Sequence, residues 1–297
     1  MKAKEIENLL NEEGYPCKLL GNPDKEISGF ADPYDYRENS VIWLGDLKYL
    51  TLPPEQYEKV ALLMCRENMS GRELFPNVLV CEDPRNAFMR LLELEVRKKE
   101  ESKLCGIDPN AIIDASAQIG KDVYIGPGAV IGPDVVLGDR TRVMPNAYIE
   151  HTRTGKDCEI FPSCVVGVAA HGYRKDNNMT MEPHIGKVIL GDRVNILASS
   201  VIERGTVSDT VIGSDTKIAN MTNVGHNTKV GQRCQINGGK LHGGVIVGDD
   251  TEIICSYVAN RIKIGSNVKI GLNSTVVRDI PDNVTVFGSP ARVRYNH

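Results

Sequence analysis

The stretch Ile113-Asp-Ala-Ser-Ala-Gln, Ile119-Gly-Lys-Asp-Val-Tyr, Ile125-Gly-Pro-Gly-Ala-Val, Ile131-Gly-Pro-Asp-Val-Val, Leu137-Gly-Asp-Arg-Thr-Arg repeats every six residues. Each unit opens on an aliphatic side chain, usually followed by Gly, and then four small or polar positions. The period continues through Val143 and Ile149, resumes at Ile160 and Val166, and returns at Leu190, Ile196 and Ile202. It runs again from Ile212 through Ile218, Val224, Val230 and Ile236, and finally through Val247, Ile253, Ile264, Ile270 and Val276. A hexapeptide period sustained over so many units reads as a parallel β-helix.

The repeat has a physical reason. Each unit supplies one short strand, and one aliphatic side chain per unit points into the coil. Small residues then turn the corner to the next flat face, where Gly accepts close backbone approach. A single coil cannot bury its own apolar stripe, so stability comes from stacking many coils. The fold class is therefore mainly β, a hexapeptide-repeat solenoid from about 107 to 297.

Composition agrees with that assignment. The chain has 297 residues, 41% of them apolar but only 5% aromatic, as narrow coils filled by Ile and Val require. A net charge of −4 argues against a nucleic-acid partner. Eight cysteines are scattered without a CxxC pair, so reduced thiols are expected rather than disulfides or a zinc site. Cys158 and Cys164 fall one repeat apart, as small core or corner residues would. The opening MKAKEIENLLNEEG is an amphipathic helix rather than a signal peptide, and no apolar run approaches membrane-spanning length. A soluble, cytoplasmic protein is expected.

Residues 1–100 read as a separate small α/β domain. Ile6, Leu9 and Leu10 form one face of an opening helix ending near Gly14. Short strands are expected at Ser40-Val-Ile-Trp-Leu and Asn77-Val-Leu-Val-Cys, with a helical stretch around Gln56 to Cys65 between them. A second helix follows Pro84 and carries Phe88, Leu91, Leu92 and Leu94. Its charged end, Arg97 to Lys103, leads into a linker at about 95–106.

Two interruptions of the repeat concentrate polar chemistry. Between Val166 and Leu190 the period fails, and residues 167–187 read as a loop extruded from the solenoid, carrying His171 and His184. At Asn237-Gly-Gly-Lys-Leu-His242-Gly-Gly the backbone amides are accessible, and Gly238, Gly239, His242 and Gly243 could present donors to an oxyanion. Between them lies Asn223-Val-Gly-His226-Asn, with His226 beside a strand corner. A neutral imidazole there could take a proton near neutral pH, and it could equally serve as a hydrogen-bonding residue on an Asn-rich edge.

The order His-Gly-Tyr173, Val188-Ile-Leu-Gly-Asp192, Ile202-Glu-Arg-Gly205, Asp209-Thr-Val-Ile-Gly213, Lys217-Ile-Ala-Asn220, Val224-Gly-His-Asn227 resembles the UDP-3-O-acylglucosamine N-acyltransferases of lipid A synthesis. The resemblance extends to Val41-Ile-Trp-Leu-Gly-Asp-Leu-Lys-Tyr49, which looks like that family's uracil-binding segment. It implies a left-handed β-helix, a homotrimer, and catalysis in clefts between subunits. It further implies that His226 is the general base for the acceptor amine of a UDP-linked amino sugar, and that His171 helps polarise or orient the reacting groups. Trp43 and Tyr49 would sandwich uracil. The donor would be an acyl thioester on acyl carrier protein or coenzyme A, with no bound cofactor and no metal.

Departures from the family pattern are specific. Ala219 stands where an Asp is usual, Glu203 replaces an Asp before Arg-Gly, and Asp46 replaces an Asn beside the uracil aromatics. Ionised Asp only accepts hydrogen bonds, whereas Asn also donates. The chain stops at His297, after Gly288-Ser-Pro-Ala-Arg292, where the enzymes resembled carry a helical extension for acyl carrier protein. This keeps a CoA-dependent N-acetyltransferase on another nucleotide-linked amino sugar as the alternative. A solenoid that binds nucleotide without catalysis is a third reading, and a metal hydratase needing three converging His is a lesser one.

Other polar residues support weaker expectations. Asn220, Asn223 and Asn227 could line the sugar site, although Asn at coil corners is also explained by its tolerance of left-handed backbone. Arg174, Lys175, Lys187 and Arg193 could face a diphosphate. His184 and His242 are cleft candidates without a role, and His151 and His297 read as surface.

Overall fold

A computed structural model describes residues 1–100, 106–175 and 179–294. The chain divides into two compact units, Met1–Lys103 and Leu104–His297. His297 and residues 101–105 of the expected linker lie outside the described residues, as do 176–178 of the expected loop.

In the first unit, helix α1 (Ala3–Glu12) precedes strands β1 (Cys17–Leu20), β2 (Gly29–Phe30), β3 (Ser40–Trp43), β4 (Leu62–Cys65) and β5 (Val78–Cys81), and helix α2 (Pro84–Glu100) follows. The strands form one sheet in the order β1-β5-β4-β3-β2, parallel except for β1, which runs antiparallel to β5. Successive side chains on a strand alternate faces. Val41, Leu62, Met64 and Leu79 therefore pack under α1 and α2 with Ile6, Leu10, Phe88 and Leu91. Ile42, Leu44, Leu63 and Cys65 pack on the other face with Leu50, Tyr57 and Phe75.

The helix expected from Gln56 to Cys65 is not there. A short 3-10 helix covers Pro54–Lys59, and Leu62–Cys65 is a strand. All four residues of that strand are fully buried because it lies inside a parallel sheet covered on both faces. Such a strand reads as an unbroken apolar run, which periodicity cannot tell from a buried helix segment.

The second unit is a left-handed parallel β-helix of mostly two-residue strands on three flat faces. Strands stack in register from coil to coil; Ile149 pairs with Val166, Val166 with Ile202, Ile202 with Val224, and Val224 with Leu241. The aliphatic residues that open the hexapeptides form one continuous core, most of them with no exposed surface from Ile125 to Val276. Two residues before them lie small side chains, also buried: Ala129, Ala147, Thr216, Thr222, Thr228, and the cysteines 158, 164 and 234. Replacing Ile196 by Ala in mid-column should cost about 2–5 kcal/mol of unfolding free energy. Chemical denaturation would check this, and a loss well under 1 kcal/mol would contradict the packing.

The corners explain the polar half of the repeat. Three residues after the inward aliphatic, the backbone turns through left-handed φ, as at Asp122, Asp134, Asn146, Asp215, Asn227, Asp250 and Asn273. Asn and Asp visit this region more readily than other side chains. At one corner this position forms a ladder between coils, in which Arg140 grips Asp157, Arg193 grips Asp215 and Arg233 grips Asp250, each through two hydrogen bonds of 2.7–2.8 Å. Arg193 is thereby engaged in the scaffold, which removes it from the residues expected to face a diphosphate.

Some corners are one residue short. Thr154 follows Ile149 after five residues and takes an inward position with 5% exposure, and Leu241 and Val258 likewise follow Ile236 and Ile253 after five. The last two contractions draw consecutive faces into single strands, Gln235–Leu241 and Glu252–Val258. The chain leaves the solenoid after Val168, forms a small hairpin of Tyr173–Arg174 with Thr180–Met181, and rejoins it at Val188.

Candidate active site

The corner from which this loop departs is the one that carries His226 two coils later. Val224 ends a strand, and His226 and Asn227 turn towards the next strand at Lys229–Val230. Asn227 takes left-handed φ of 59°, which directs its side chain back along the corner. Its Nδ2 donates to the Ser208 carbonyl at 2.7 Å and to the Ser208 hydroxyl at 2.9 Å. Its Oδ1 accepts from the Thr206 amide at 3.1 Å and lies 2.9 Å from His226 Nδ1. A carbonyl cannot donate, so the Ser208 contact fixes which end of the amide is oxygen. In the neutral imidazole, His226 Nδ1 is then the donor, and the free lone pair is on Nε2.

That Nε2 lies over Gly243, on the coil above. A β-carbon on Gly243 would stand 2.4 Å from His226 Nε2 and 2.7–2.8 Å from the neighbouring ring carbons, so only glycine leaves room for the ring. Among the described residues the Gly243 amide has no hydrogen-bond partner, while its carbonyl accepts from Arg261. One half-buried imidazole nitrogen and one free peptide N–H thus share a corner. The His226 amide itself donates to Glu203 Oε2 at 3.1 Å, so Glu203 braces the turn through its backbone.

His184 completes the corner from the extruded loop. It is 7% exposed, its Nδ1 is 2.9 Å from the Glu182 carbonyl, and its ring meets the His226 ring edge to face at 6.0 Å. The loop is pinned there by Ile185, whose amide donates to the Thr206 carbonyl at 2.8 Å. His242 is partly buried beside Gly243, and burial, then Lys240, hold its imidazole below the ordinary value against the opposing pull of Glu203. His171 is exposed on the loop, with its ring 5.1 Å from that of Tyr173.

The remaining expected residues divide between corners. Asn223 lies on the strand entering the His226 corner, and its Oδ1 is buried with no hydrogen-bond partner among the described residues. Asn220 and Ala219 sit at the preceding corner, where the Ala219 carbonyl accepts from the Ser200 and Thr222 hydroxyls. Gly238 and Gly239 turn that same preceding corner with φ of 85° and 91°. A β-carbon on Gly239 would fall 2.1 Å from the Ser256 carbonyl oxygen, so this glycine serves coil-to-coil approach. Of the four glycine and histidine candidates in this stretch, His242 and Gly243 lie at the His226 corner, where the Gly244 amide also donates to the His226 carbonyl at 2.8 Å. Arg174, Lys175 and Lys187 are exposed, and His151 lies 3.3 Å from Asp134. Sequence reading left His184 without a role because a histidine in a non-periodic loop has no register to place it.

In the first unit, Trp43 ends β3 half-buried against the cluster under α1 and α2. Tyr49 is 46% exposed; its ring neighbour is Tyr34 at 6.5 Å, and Lys48 Nζ stands 5.0 Å over it. The two aromatic rings make no contact with each other. Asp46 caps the 3-10 turn Leu47–Tyr49 by accepting from the Lys48 amide at 3.0 Å, and this bond, with the Lys48 ammonium, holds its carboxyl low. Among the described residues no group of three or more His, Cys, Asp or Glu is placed to hold a metal ion, and no helix is long and apolar enough to cross a membrane.

Comparison with known proteins gives the chain a lineage. Residues 116–151 match the family model for the bacterial transferase hexapeptide (six repeats). A UDP-3-O-acylglucosamine N-acyltransferase from Hydrogenovibrio crunogenus is 31% identical over 235 residues, covering 72% of this chain and 66% of that one. Another from Polynucleobacter asymbioticus is 30% identical over 198 residues, covering 59% and 52%. The chain thus spans about half to two thirds of the length of the curated relatives it matches. Among solved structures, LpxA from Acinetobacter baumannii superposes with a TM-score of 0.58 at 30% identity, covering 63% of this chain and 73% of that one. The UDP-N-acetylglucosamine O-acyltransferase (LpxA) of Moraxella catarrhalis gives 0.57 at 26%. By repeat, fold and sequence together, the chain belongs to the hexapeptide-repeat family that includes the UDP-3-O-acylglucosamine N-acyltransferases.

Proposed function

We propose that this protein is an N-acyltransferase of lipid A synthesis, moving an acyl group from a thioester to the amine of a UDP-linked amino sugar. The observation that carries the reading is the pairing at one corner of His226 Nε2, its lone pair fixed by Asn227, with the unpaired Gly243 amide. The sugar amine attacks the thioester carbonyl as His226 Nε2 takes its proton. Negative charge gathers on the carbonyl oxygen, and the Gly243 N–H is the donor for it. Collapse expels the thiolate, which recovers the proton from the imidazolium.

His184 holds the imidazole from its outer edge, Asn223 lines the sugar side of the corner, and His171 meets substrate from the loop. Trp43, Tyr49 and Asp46 hold the uracil of the nucleotide. The protein works as a homotrimer in the cytoplasm, with acyl carrier protein or coenzyme A carrying the acyl group. What supports these assignments is the family kinship together with the unspent hydrogen-bonding capacity at the corner.

The test is mass spectrometry of purified protein offered UDP-linked and other nucleotide-linked amino sugars, each with hydroxyacyl carrier protein or acetyl-CoA. Amide product from the carrier protein is expected. Product from acetyl-CoA alone would move the protein to sugar N-acetylation, and nucleotide binding without product from any pair would sink the catalytic reading.

A further inference from the structure

Away from the His226 corner, the first unit holds a pair of cysteines with unusual placement. Cys17 on β1 and Cys81 on β5 are direct partners in an antiparallel ladder. Directly opposed residues of such a ladder project from the same face of the sheet. Which kind of pair they form is decided by Asn11. Its Oδ1 accepts from the Cys17 amide at 3.0 Å, and its Nδ2 donates to the Cys17 carbonyl at 3.2 Å. Two residues on, the Leu19 amide also points away from β5, donating to Glu7 Oε1 at 2.9 Å. Cys17 and Cys81 are therefore a non-hydrogen-bonded pair, the closer of the two alternating kinds, with Cα atoms about 4.5 Å apart. That separation lies inside the range a disulfide spans.

Access is provided as well. Cys17 is half-exposed, and both cysteines line a surface cleft of about 640 Å³ with Lys18, Arg66, Glu67 and Glu82 on its walls, two cations against two carboxylates. We propose that Cys17 and Cys81 form a reversible intramolecular disulfide by exchange with a small soluble disulfide that enters this cleft. Cys17 is the attacking sulfur, because it is the half-exposed one and the neighbouring Cys81 thiol holds its pKa below the ordinary value, while Cys81, whose thiol donates to the Leu79 carbonyl at 3.5 Å, is pushed up by Cys17 and by burial. Cys17 attacks one sulfur of the disulfide RSSR, forming a mixed disulfide and releasing RS⁻, which takes up the Cys17 proton as RSH. Cys81 then attacks Cys17 Sγ, and its own proton leaves with the second RSH. The two cysteines are oxidised and RSSR is reduced. The new bond clamps β1, the edge strand of the sheet, to its only neighbour.

The experiment uses the full chain and is independent of acyl transfer. The protein is equilibrated with excess oxidised or reduced glutathione, quenched with an alkylating reagent, and examined by intact mass and peptide mapping. Oxidation should remove about 2 Da at this pair and yield a linked Cys17–Cys81 peptide, reversed by reduced glutathione. Cys81→Ala should trap glutathione on Cys17, whereas Cys17→Ser should leave Cys81 alkylated. The exposed Cys255 is an internal control, taking glutathione without forming a link. Should a variant misfold, the map of the unsubstituted chain decides alone. Alkylation of both cysteines under excess oxidised glutathione, glutathione retained on Cys17, or a link to any other cysteine would overturn the proposal.

Discussion

His226→Ala is expected to lower kcat for acyl transfer by roughly 10²–10⁴-fold, with a much smaller effect on KM. The imidazole is the only group at the corner whose free nitrogen is both fixed in tautomer and placed against a free peptide N–H. Removing it takes away proton transfer in the transition state while leaving the scaffold, since His226 is half-buried at a corner and outside the aliphatic core. Asn227→Ala should fall between the two. It releases the Nδ1 contact, so the ring loses its enforced tautomer, and it also strands the Thr206 amide. Steady-state kinetics on folded variants checks both, and an unchanged kcat in His226→Ala would remove His226 from the mechanism.

Gly243→Ala carries the second large expectation, a loss of about 10²–10³-fold in kcat with little change in unfolding midpoint. Gly243 does not need glycine for its backbone, because its φ is not in the left-handed region. The substitution is harmful for one reason, the 2.4 Å approach of the new methyl to His226 Nε2. The ring must swing away from Asn227 or from the amide that would receive the oxyanion. The neighbouring Gly244→Ala is the opposite case. Gly244 has φ of 73°, and its added methyl would meet Arg261 Cγ at 3.3 Å, so it should cost about 1 kcal/mol of stability while leaving kcat near its original value. Combining His226→Ala with Gly243→Ala should add little to the single loss at His226, as expected for groups that act as a unit. Fully additive losses would mean that the glycine acts elsewhere.

How much of this was legible beforehand differs by element. The aliphatic hexapeptide positions were readable because one strict spacing places every one of them in the same column, from Ile125 to Val276. Thr154, Leu241 and Val258 escaped that spacing. Each enters the column after a corner contracted by one residue, and nothing local in the sequence marks a contraction. Gln56–Cys65 misled for a different reason, since a strand buried on both faces has no alternation to display. His226 and Gly243 could be nominated from the Val-Gly-His-Asn and Gly-rich segments. Gly238 and Gly239, nominated alongside, turn the preceding corner.

The sequence by itself determined the solenoid, because burial of one aliphatic residue in six admits few other shapes, and it determined the kinship through motifs spread along the chain. The tertiary structure alone decided which polar residues meet. Residues seventeen positions apart, such as His226 and Gly243, become neighbours only when coils stack, and His184 reaches them from a loop with no repeat to index it. The tautomer of His226 likewise depends on Ser208 orienting Asn227 across a coil. Hydrogen bonds act over a few ångströms in space, and one-dimensional spacing does not record which coil lies above which.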